Sequence, residues 1–170
     1  MVLDTIEGVA AGTLLRGELA SDFIPARPLD IWPPSSYDGT QKHNVLYMYD
    51  AQMLFDATTT WNGQEWRVDE ILDSLIIDDV ITPTIVVALY NGGQRRNFEY
   101  FPQKPAAHLQ AAFSDSVLSE ISKRYGSDST FSVNSDNYLR YMVEEVKSFV
   151  DGHFTVHTSA ASTAIMGSSM

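Results

Sequence analysis

Two short apolar segments, residues 44–50 and 84–90, constrain the fold more than any other feature of this sequence. The first (Asn-Val-Leu-Tyr-Met-Tyr-Asp) is apolar nearly throughout, and the second (Thr-Ile-Val-Val-Ala-Leu-Tyr) is rich in β-branched side chains. Runs of this length and composition are typical of strands that are buried on both faces of a sheet. Residues 66–76, between them, carry apolar side chains at the spacing of one helical face. These are Val68, Ile71, Leu72 and Leu75. The order strand, helix, strand predicts a parallel pair with a right-handed crossover.

A hairpin is expected before this unit. Residues 13–19 and 23–32 show partial alternation of apolar and polar side chains, and the polar turn between them predicts antiparallel pairing. Residues 33–39 contain two prolines and a glycine and therefore predict a loop. The hairpin should make the sheet mixed.

Further helices and one more strand are expected after the second buried segment. We expect one helix near residues 115–125 and a firmer one that begins at Asp136 or Asn137 and continues to residue 150. The apolar face of the second helix consists of Leu139, Met142, Val143, Val146 and Phe149. Residues 163–166 (Thr-Ala-Ile-Met) have the composition of a last, buried strand. Strands that alternate with helices predict a layered α/β fold.

Length and charge limit the class of protein. A chain of 170 residues that is 44% hydrophobic is long enough for one domain, residues 1–170, with a substantial core. The formal net charge of -11 argues against nucleic acid as a partner, because 11 basic side chains among 22 acidic ones cannot track phosphates. The sequence has neither an apolar run near the ~18 residues of a membrane span nor a signal-peptide pattern. We therefore expect a cytoplasmic protein without a membrane partner.

The last predicted strand leads directly into Gly167-Ser168-Ser169-Met170. This is most of a Gly-x-Ser-x-Gly nucleophile elbow, whose second glycine would follow Met170. In such an elbow, a sharp strand-to-helix turn presents the serine hydroxyl at the top of an α/β-hydrolase sheet. Glycine and serine are also common in ordinary loops, so the strand immediately before the motif is what favours the elbow. Ser169 is then the candidate nucleophile.

An acyl-transfer site also needs two backbone N–H groups aimed at the developing oxyanion. One of them comes from the residue after the nucleophile, here Met170, and the other from the loop after the third strand. In that loop Gln52 is the most plausible donor. The plainer alternative is a helix that Asp50 caps, with the Gln52 side chain in solvent. In that alternative the backbone N–H of Gln52 can still point into the site.

Residues 45–56 (VLYMYDAQMLFD) resemble the "VLYMHDGQNLFD" signature of the "putative esterase" family of α/β-hydrolases. This family includes enterochelin esterases, feruloyl esterases and, more distantly, mycolyltransferases. Other segments resemble the family's motifs in the same order along the chain. They are 27–34, the second strand and "LPP" turn; 66–70, "W-x-V-D-E"; 96–102, "R-x-x-E-Y-x-P"; 138–151, a helix; and 164–170, "A-I-x-G-S-S-M-G-G". The resemblance thus spans essentially the whole chain, although Tyr49 and Ala51 stand where His and Gly are common.

The resemblance implies a carboxylic-ester hydrolase that acts on a small-molecule ester through an acyl-enzyme on Ser169. Gln52 and Met170 would donate the oxyanion N–H groups, and no metal or organic cofactor is implied. The roles of two further residues stay open. Arg96 either forms an ion pair with Glu99, which we favour, or faces the substrate, and Trp66 either lines the acyl pocket or simply packs.

In α/β-hydrolases the catalytic acid and histidine follow the serine in the chain. No histidine of this sequence follows Ser169, so we expect all four to be surface or loop residues without a catalytic role. These are His43, His108, His153 and His157. By the resemblance, the sequence holds about five strands, the N-terminal part of the fold, and leaves the last strand with an open edge. A longer chain or a complementing C-terminal chain would supply the missing acid and histidine.

The open edge also motivates a function of another class. The chain would then be a non-catalytic α/β module that pairs with another chain through that edge, for example as a homodimer. Acyl transfer to an alcohol instead of water is a minor variant of the esterase hypothesis.

Overall fold

The computed structural model describes residues 1–105 and 133–168 of the chain. Within these ranges, six strands form a single sheet. They are β1 (Asp4–Ile6), β2 (Leu14–Leu19), β3 (Arg27–Trp32), β4 (Asn44–Tyr49), β5 (Thr84–Leu89) and β6 (Thr163–Met166). Their order across the sheet is β1-β2-β3-β5-β4-β6. The sheet is mixed, and β2, β4, β5 and β6 point the same way.

The predicted strand–helix–strand unit is confirmed. β4 and β5 pair in parallel from Asn44↔Thr84 to Tyr49↔Leu89, and helix α1 (Val68–Ile77) connects them. The predicted hairpin forms between β2 and β3, and β3 in turn pairs antiparallel with β5. Strand β1 was not predicted, and it extends the sheet through antiparallel pairing with β2.

Apolar side chains form a separate core cluster on each face of the sheet. Successive residues of one strand contribute to opposite clusters, because side chains alternate across a strand. Tyr47 and Val87 belong to the cluster beneath the C-terminal helices, whereas Met48 and Val86 belong to the cluster beneath α1. All four are buried, which explains why the sequence of β4 and β5 is apolar without alternation.

Helix α1 buries two aspartates on its inner face, which the apolar pattern did not predict. Asp69 Oδ2 accepts a hydrogen bond from the amide of Ala10 at 2.7 Å. Asp73 accepts hydrogen bonds from the amide and the hydroxyl of Ser35, at 2.7 and 2.8 Å. Ile71 was predicted to lie on the buried face, but it is exposed. The inner face is therefore set by loop amides that need carboxylate partners as well as by apolar contacts.

The C-terminal helices cover the other face of the sheet. They are α2 (Arg96–Tyr100), α3 (Ser135–Arg140), a π-helical stretch (Tyr141–Val146) that continues α3, and α4 (Lys147–His153). Met142, Val146 and Phe149 are buried as predicted, but Leu139 and Val143 are 50% and 63% exposed. A π-helical turn is wider than an α-helical turn, so the buried stripe shifts away from the predicted positions.

The helix predicted near residues 115–125 lies outside the described residues. None of the helices within residues 1–105 and 133–168 combines the length and the apolar character that crossing a bilayer requires.

Strand β6 has the predicted bounds but was wrongly predicted to be buried. It pairs in parallel with β4, from Val45↔Thr163 to Met48↔Met166, and no described strand pairs with its other side. As a result Ile165 and Met166 are 61% and 46% exposed. Within the described part of the chain, β6 is therefore an open edge that carries apolar side chains.

Candidate active site

The carboxyl ends of β4, β5 and β6 meet at one edge of the sheet, because the three strands are parallel neighbours. The loop after β4 contains the 3-10 turn Ala51–Met53, which includes Gln52. The loop after β5 leads into α2, which begins at Arg96. Strand β6 leads into Gly167 and Ser168. Three of the predicted site segments thus converge, whereas Ser169 and Met170 lie outside the described residues.

The backbone of Asp50 is left-handed, with φ 58° and ψ 50°. This region costs a non-glycine residue roughly 1–2 kcal/mol, and aspartate is one of the residues that adopt it most readily. Ala51, which stands where glycine is common in the family that the sequence resembles, is buried in the helical turn without a positive φ. The change in chain direction therefore falls on Asp50.

The side chain of Asp50 accepts hydrogen bonds from Asn91, in the loop after β5, and from Arg96 and Tyr100, in α2. Arg96 donates from Nε at 2.9 Å and from Nη2 at 2.8 Å. Asn91 Nδ2 donates at 2.7 Å to the same oxygen, Oδ1, that accepts from Arg96 Nε. Asp50 occupies the predicted N-cap position of the 3-10 turn, but its side chain makes no capping hydrogen bond there.

The predicted ion pair between Arg96 and Glu99 is wrong. Arg96 pairs with Asp50, and Glu99 accepts two hydrogen bonds from Arg27, each of 2.7 Å. Arg27 and Glu99 are both buried, whereas the Asp50–Arg96 pair is partly exposed. The short helix α2 therefore directs its two charged side chains to different strands, Arg96 toward the end of β4 and Glu99 toward β3.

Asn91 connects Asp50 to Gln52. While its Nδ2 donates to Asp50, its Oδ1 accepts from Gln52 Nε2 at 3.2 Å and from the amide of Gly93 at 2.9 Å. The Gln52 side chain is thus held against the neighbouring loop. The Gln52 amide lies in the first turn of its helix, where N–H groups have no acceptor within the helix. No motif in the sequence singled out Asn91.

The ring of Tyr49 lies directly against Gly167. A Cβ atom at position 167 would lie 2.8 Å from Tyr49 Cδ2, so the close approach requires glycine here. The Tyr49 hydroxyl donates to Met142 Sδ at 3.3 Å, and its ring centroid lies 5.2 Å from that of Tyr100. Tyr49, which replaces the histidine common in the family, is therefore part of a cluster of aromatic side chains.

A cavity lies on each side of the loop that carries Gln52. The first has a volume of about 390 Å³, is lined by three tyrosines and also by Asp50 and Glu99, and reaches the start of the elbow. Its lining includes Tyr49, Tyr100, Tyr138, Leu139, Gly167 and Ser168. The second, of about 320 Å³, lies on the opposite face of the sheet and includes Arg16, Asp30, Gln52, Phe55 and Tyr90.

Neither Trp66 nor Arg96 lines these two cavities. Trp66 packs against the core cluster beneath α1, and its amide donates to the carbonyl of Met53 at 2.9 Å. These contacts favour a packing role for Trp66. Its possible contribution to a substrate pocket, and that of Arg96, stay predictions.

The ionisation states at this edge follow from local contacts. Burial acts to raise the pKa of Asp50, but hydrogen bonds from Arg96 and Asn91 outweigh it and lower the pKa. The bond to Asp50 raises the pKa of Arg96. Burial raises the pKa of Tyr100 and of Tyr138. At neutral pH the Asp50–Arg96 ion pair therefore lies beside neutral phenols.

The described histidines lie away from this edge. His43 precedes β4 and His157 precedes β6, and the two are joined by a backbone hydrogen bond of 2.9 Å. His153 lies in the last turn of α4. His43 was predicted to be a surface or loop residue, but its side chain is buried. His108 lies outside the described residues. Among residues 1–105 and 133–168, no group of three or more His, Asp or Glu side chains could hold a metal ion.

A model of the family described as "Putative esterase" matches residues 26–170. The chain belongs to this esterase family. The match includes every strand from β3 onward and all the loops of the candidate site. A comparison with curated protein sequences found no match.

Several solved structures share the fold of this chain. A ferulic acid esterase from the anaerobic fungus Anaeromyces mucronatus is 17% identical, with a TM-score of 0.56 over 98% of this chain. The BES protein from Bacillus cereus is 10% identical, with a TM-score of 0.54 over 97% of this chain. An S-formylglutathione hydrolase from Agrobacterium tumefaciens is 12% identical, with a TM-score of 0.55 over 99% of this chain. The chain spans about half of their length, 53%, 54% and 53% respectively. The α/β-hydrolase-type fold expected from the sequence is confirmed.

Proposed function

We propose that this protein is a serine carboxylic-ester hydrolase that acts on small-molecule esters through an acyl-enzyme, or the N-terminal half of such an enzyme. The observation that carries the proposal is the parallel pairing of β6 with β4, in which Met166 lies opposite Met48. The chain leaves β6 toward Ser169 at the same sheet edge at which the loop after β4 holds Gln52. A nucleophile and an oxyanion donor require this relationship.

In the proposed reaction, the hydroxyl oxygen of Ser169 attacks the ester carbonyl carbon. The carbonyl electron pair moves onto oxygen, which accepts hydrogen bonds from the amides of Gln52 and Met170. The hydroxyl proton passes to a base and then to the leaving alcohol, which leaves an acyl-serine. Water attacks the acyl-serine, releases the carboxylic acid and regenerates Ser169. His43, His153 and His157 lie away from this edge, and the proposal assigns the base to a histidine that follows Ser169, in the same chain or in a complementing one, as is the order in α/β-hydrolases.

The cavity at the start of the elbow suggests the acyl group. The ferulic acid esterase from Anaeromyces mucronatus has been solved in complex with ferulic acid, which is an aromatic acid. In the present chain, a cavity of about 390 Å³ lined by Tyr49, Tyr100 and Tyr138 adjoins Gly167 and Ser168. A cavity of this size can hold an aryl group, and the three phenol rings can pack against it, because Asp50 and Glu99, which also line the cavity, are each paired with an arginine. We therefore extend the proposal to esters of aromatic acids.

A serine pair in the elbow offers a matched test. Ser169→Ala and Ser168→Ala make the same chemical change one residue apart, and both are compared with the full-length protein. We expect Ser169→Ala to lose p-nitrophenyl acetate hydrolysis and labelling by a fluorophosphonate, since the free hydroxyl is the proposed nucleophile. Ser168→Ala should keep labelling at Ser169. Hydrolysis by Ser169→Ala at the wild-type rate would overturn the mechanism.

The exposed edge of the sheet favours a second candidate, an α/β module that binds another chain. Ile165 and Met166 on β6 are exposed, and so are Leu139 and Val143 on the neighbouring helical segment. Exposed apolar residues beside a strand edge are typical of an interaction surface. Solution mass measured together with fluorophosphonate labelling separates the two functions. A stable dimer without labelling supports the module, and labelled Ser169 supports the esterase.

A further inference from the structure

We propose that Asp50, Asn91 and Arg96 are positioning residues that fix the orientation of the Gln52 amide in the candidate oxyanion site. This inference rests on the proposed function, because it assigns a role within the same reaction. Asp50 also lines the cavity proposed for the acyl group, but the role assigned to all three residues is to orient the Gln52 amide and not to contact the reacting atoms. They act through residues 50–56, the loop after β4 that contains the 3-10 turn Ala51–Met53. We call this segment the Gln52 loop.

The first part of the argument is the backbone of Asp50. Its φ of 58° is a left-handed conformation two residues before Gln52. A residue there relaxes toward a commoner conformation unless its surroundings hold it. Relaxation at Asp50 would rotate the peptide planes that follow, and the N–H of Gln52 would turn with them. The contacts of Asp50 therefore decide where that donor points.

The second part is the side-chain amide of Asn91, which has only one orientation that satisfies all its neighbours. A carboxylate only accepts hydrogen bonds, so Nδ2 must face Asp50, at 2.7 Å. Oδ1 must then face the N–H donors of Gln52 and Gly93, at 3.2 and 2.9 Å. The Asn91 side chain thus bonds to Asp50, which precedes the 3-10 turn, and to Gln52, which lies within it. It therefore fixes the distance between these two residues.

The third part is the support beneath Asn91. Arg27 Nη1 lies 3.4 Å from the carbonyl oxygen of Tyr90, and Arg27 also makes the buried ion pair with Glu99. A Cβ at Gly92 would lie 2.8 Å from Glu99 Oε2, so the loop rests directly on this pair. Asn91 is therefore attached to a part of the molecule that is itself tightly packed, as a positioning residue must be.

The charge distribution agrees with this role. Asp50 keeps its negative charge at neutral pH, because the hydrogen bonds from Arg96 and Asn91 lower its pKa against the effect of burial. Arg96 fixes the carboxylate with two donors, and its guanidinium lies 4.9 Å from the ring centroid of Tyr100. Two-point contacts of this kind define an angle as well as a distance.

An isosteric exchange tests the inference. Asn91→Asp replaces the N–H donor that faces Asp50 with a carboxylate oxygen. The two carboxylates then repel each other at the contact where Asn91 donates a hydrogen bond to Asp50 in the wild type. We expect kcat for an aryl ester to fall about 10- to 100-fold, with KM within about threefold of wild type, because a displaced oxyanion donor weakens mainly the transition state. Adding Asp50→Asn restores one carboxylate and one amide at this contact, and it should recover much of kcat.

A second measurement does not depend on catalysis. Amide hydrogen exchange of residues 50–56 should be faster in Asn91→Asp than in wild type, and slower again in the double variant. Asn62→Asp, which makes the same change in an exposed loop, is the matched control and should leave exchange and kcat unchanged. Asp50→Asn alone keeps a residue that tolerates a positive φ, and it tests the same contact if Asn91→Asp does not fold.

The outcomes separate this inference from the proposed function. If the full-length wild-type protein, with any complementing chain present, has no esterase activity but Asn91→Asp accelerates exchange in the Gln52 loop, the proposed function is wrong and the structural role of Asn91 stands. Unchanged exchange together with an unchanged kcat in Asn91→Asp would overturn the inference. So would a double variant that is no better than Asn91→Asp alone.

Discussion

The carboxylate of Asp50 accepts two hydrogen bonds from the guanidinium of Arg96, at 2.9 and 2.8 Å, although the two residues are 46 positions apart in the sequence. The contact joins the loop after β4 to the helix after β5. It also holds the left-handed backbone of Asp50, which precedes the Gln52 amide. The geometry of the candidate site therefore depends on a pairing between two loops, and this pairing has measurable consequences.

The first prediction concerns acid stability. The folded state lowers the pKa of Asp50 below its ordinary value of about 3.9. Between the folded and the unfolded pKa of Asp50, the unfolded state binds more protons than the folded state. The stabilisation from ionised Asp50 is therefore fully present above the unfolded pKa and is lost as the pH falls through the folded pKa. Arg96→Gln should destabilise the protein by about 1 to 2 kcal/mol at pH 7. The difference from wild type should shrink below pH 4, as followed by urea unfolding at each pH.

Arg140→Gln is the matched control for that experiment. Arg140 pairs with Glu144 on an exposed helical face, where solvent screens the interaction. We expect little change in its free energy of unfolding. If the difference between Arg96→Gln and wild type stayed constant from pH 7 to pH 3, the Asp50 carboxylate would not be the titrating group.

The buried pair beneath the site predicts a larger effect. Arg27 and Glu99 are both nearly inaccessible and share two hydrogen bonds of 2.7 Å. Glu99→Gln keeps the shape of the side chain but leaves a buried guanidinium without its counter-charge, so we expect a loss of about 3 kcal/mol in the free energy of unfolding. Urea denaturation measures it, with the exposed Glu144→Gln as the control that should change little. A loss no greater than that of the control would contradict the assigned burial.

The elements that the sequence predicted well are those that local composition decides. β4 and β5 are buried on both faces, so their apolar runs identify them without reference to the rest of the chain. Their parallel pairing brings the following loops to one edge, and this is why the location of Gln52 could be predicted from sequence alone. The bounds of β6 were equally predictable, because a short apolar run ends at glycine.

Several of the failed predictions share one cause, which is that distant residues decide the outcome. Ile71 is exposed because Asp69 and Asp73 occupy the inner face of α1, where they accept hydrogen bonds from loops 59 and 38 residues away. Arg96 pairs with Asp50 and not with Glu99, because the carboxylate of Glu99 is bonded to Arg27 on β3. The positive φ of Asp50 likewise depends on partners in the loop after β5. No spacing rule within one segment contains this information.

The contact between Tyr49 and Gly167 predicts a specific steric effect. Gly167→Ala would place Cβ 2.8 Å from Tyr49 Cδ2, and the ring must shift to make room. We expect a loss of about 1 to 3 kcal/mol, the usual cost of overpacking. On a Tyr49→Ala background the same substitution should cost much less. Urea unfolding of the four proteins in this cycle gives the coupling energy.

Gly152→Ala is the opposite case. Gly152 lies in α4, and a Cβ there would meet nothing within 4 Å. Alanine is favoured over glycine in a helix, so we expect this variant to be more stable by about 0.5 to 1 kcal/mol. If Gly167→Ala, like Gly152→Ala, did not lower the free energy of unfolding, the assigned packing of Tyr49 against Gly167 would be wrong.

The second candidate function makes its own prediction at β6. Ile165 is 61% exposed on the open edge, so Ile165→Lys should hardly affect folding of the isolated chain. If another chain pairs with this edge, the lysine places a charge at the contact, and association should weaken about tenfold or more. Ile71→Lys, on the exposed side of α1, is the matched control, because Ile71 is 51% exposed and lies on a different element. Sedimentation at several protein concentrations measures both variants. Equal masses for the two variants and the wild type would show that β6 does not mediate association, and they would leave the esterase as the better supported function.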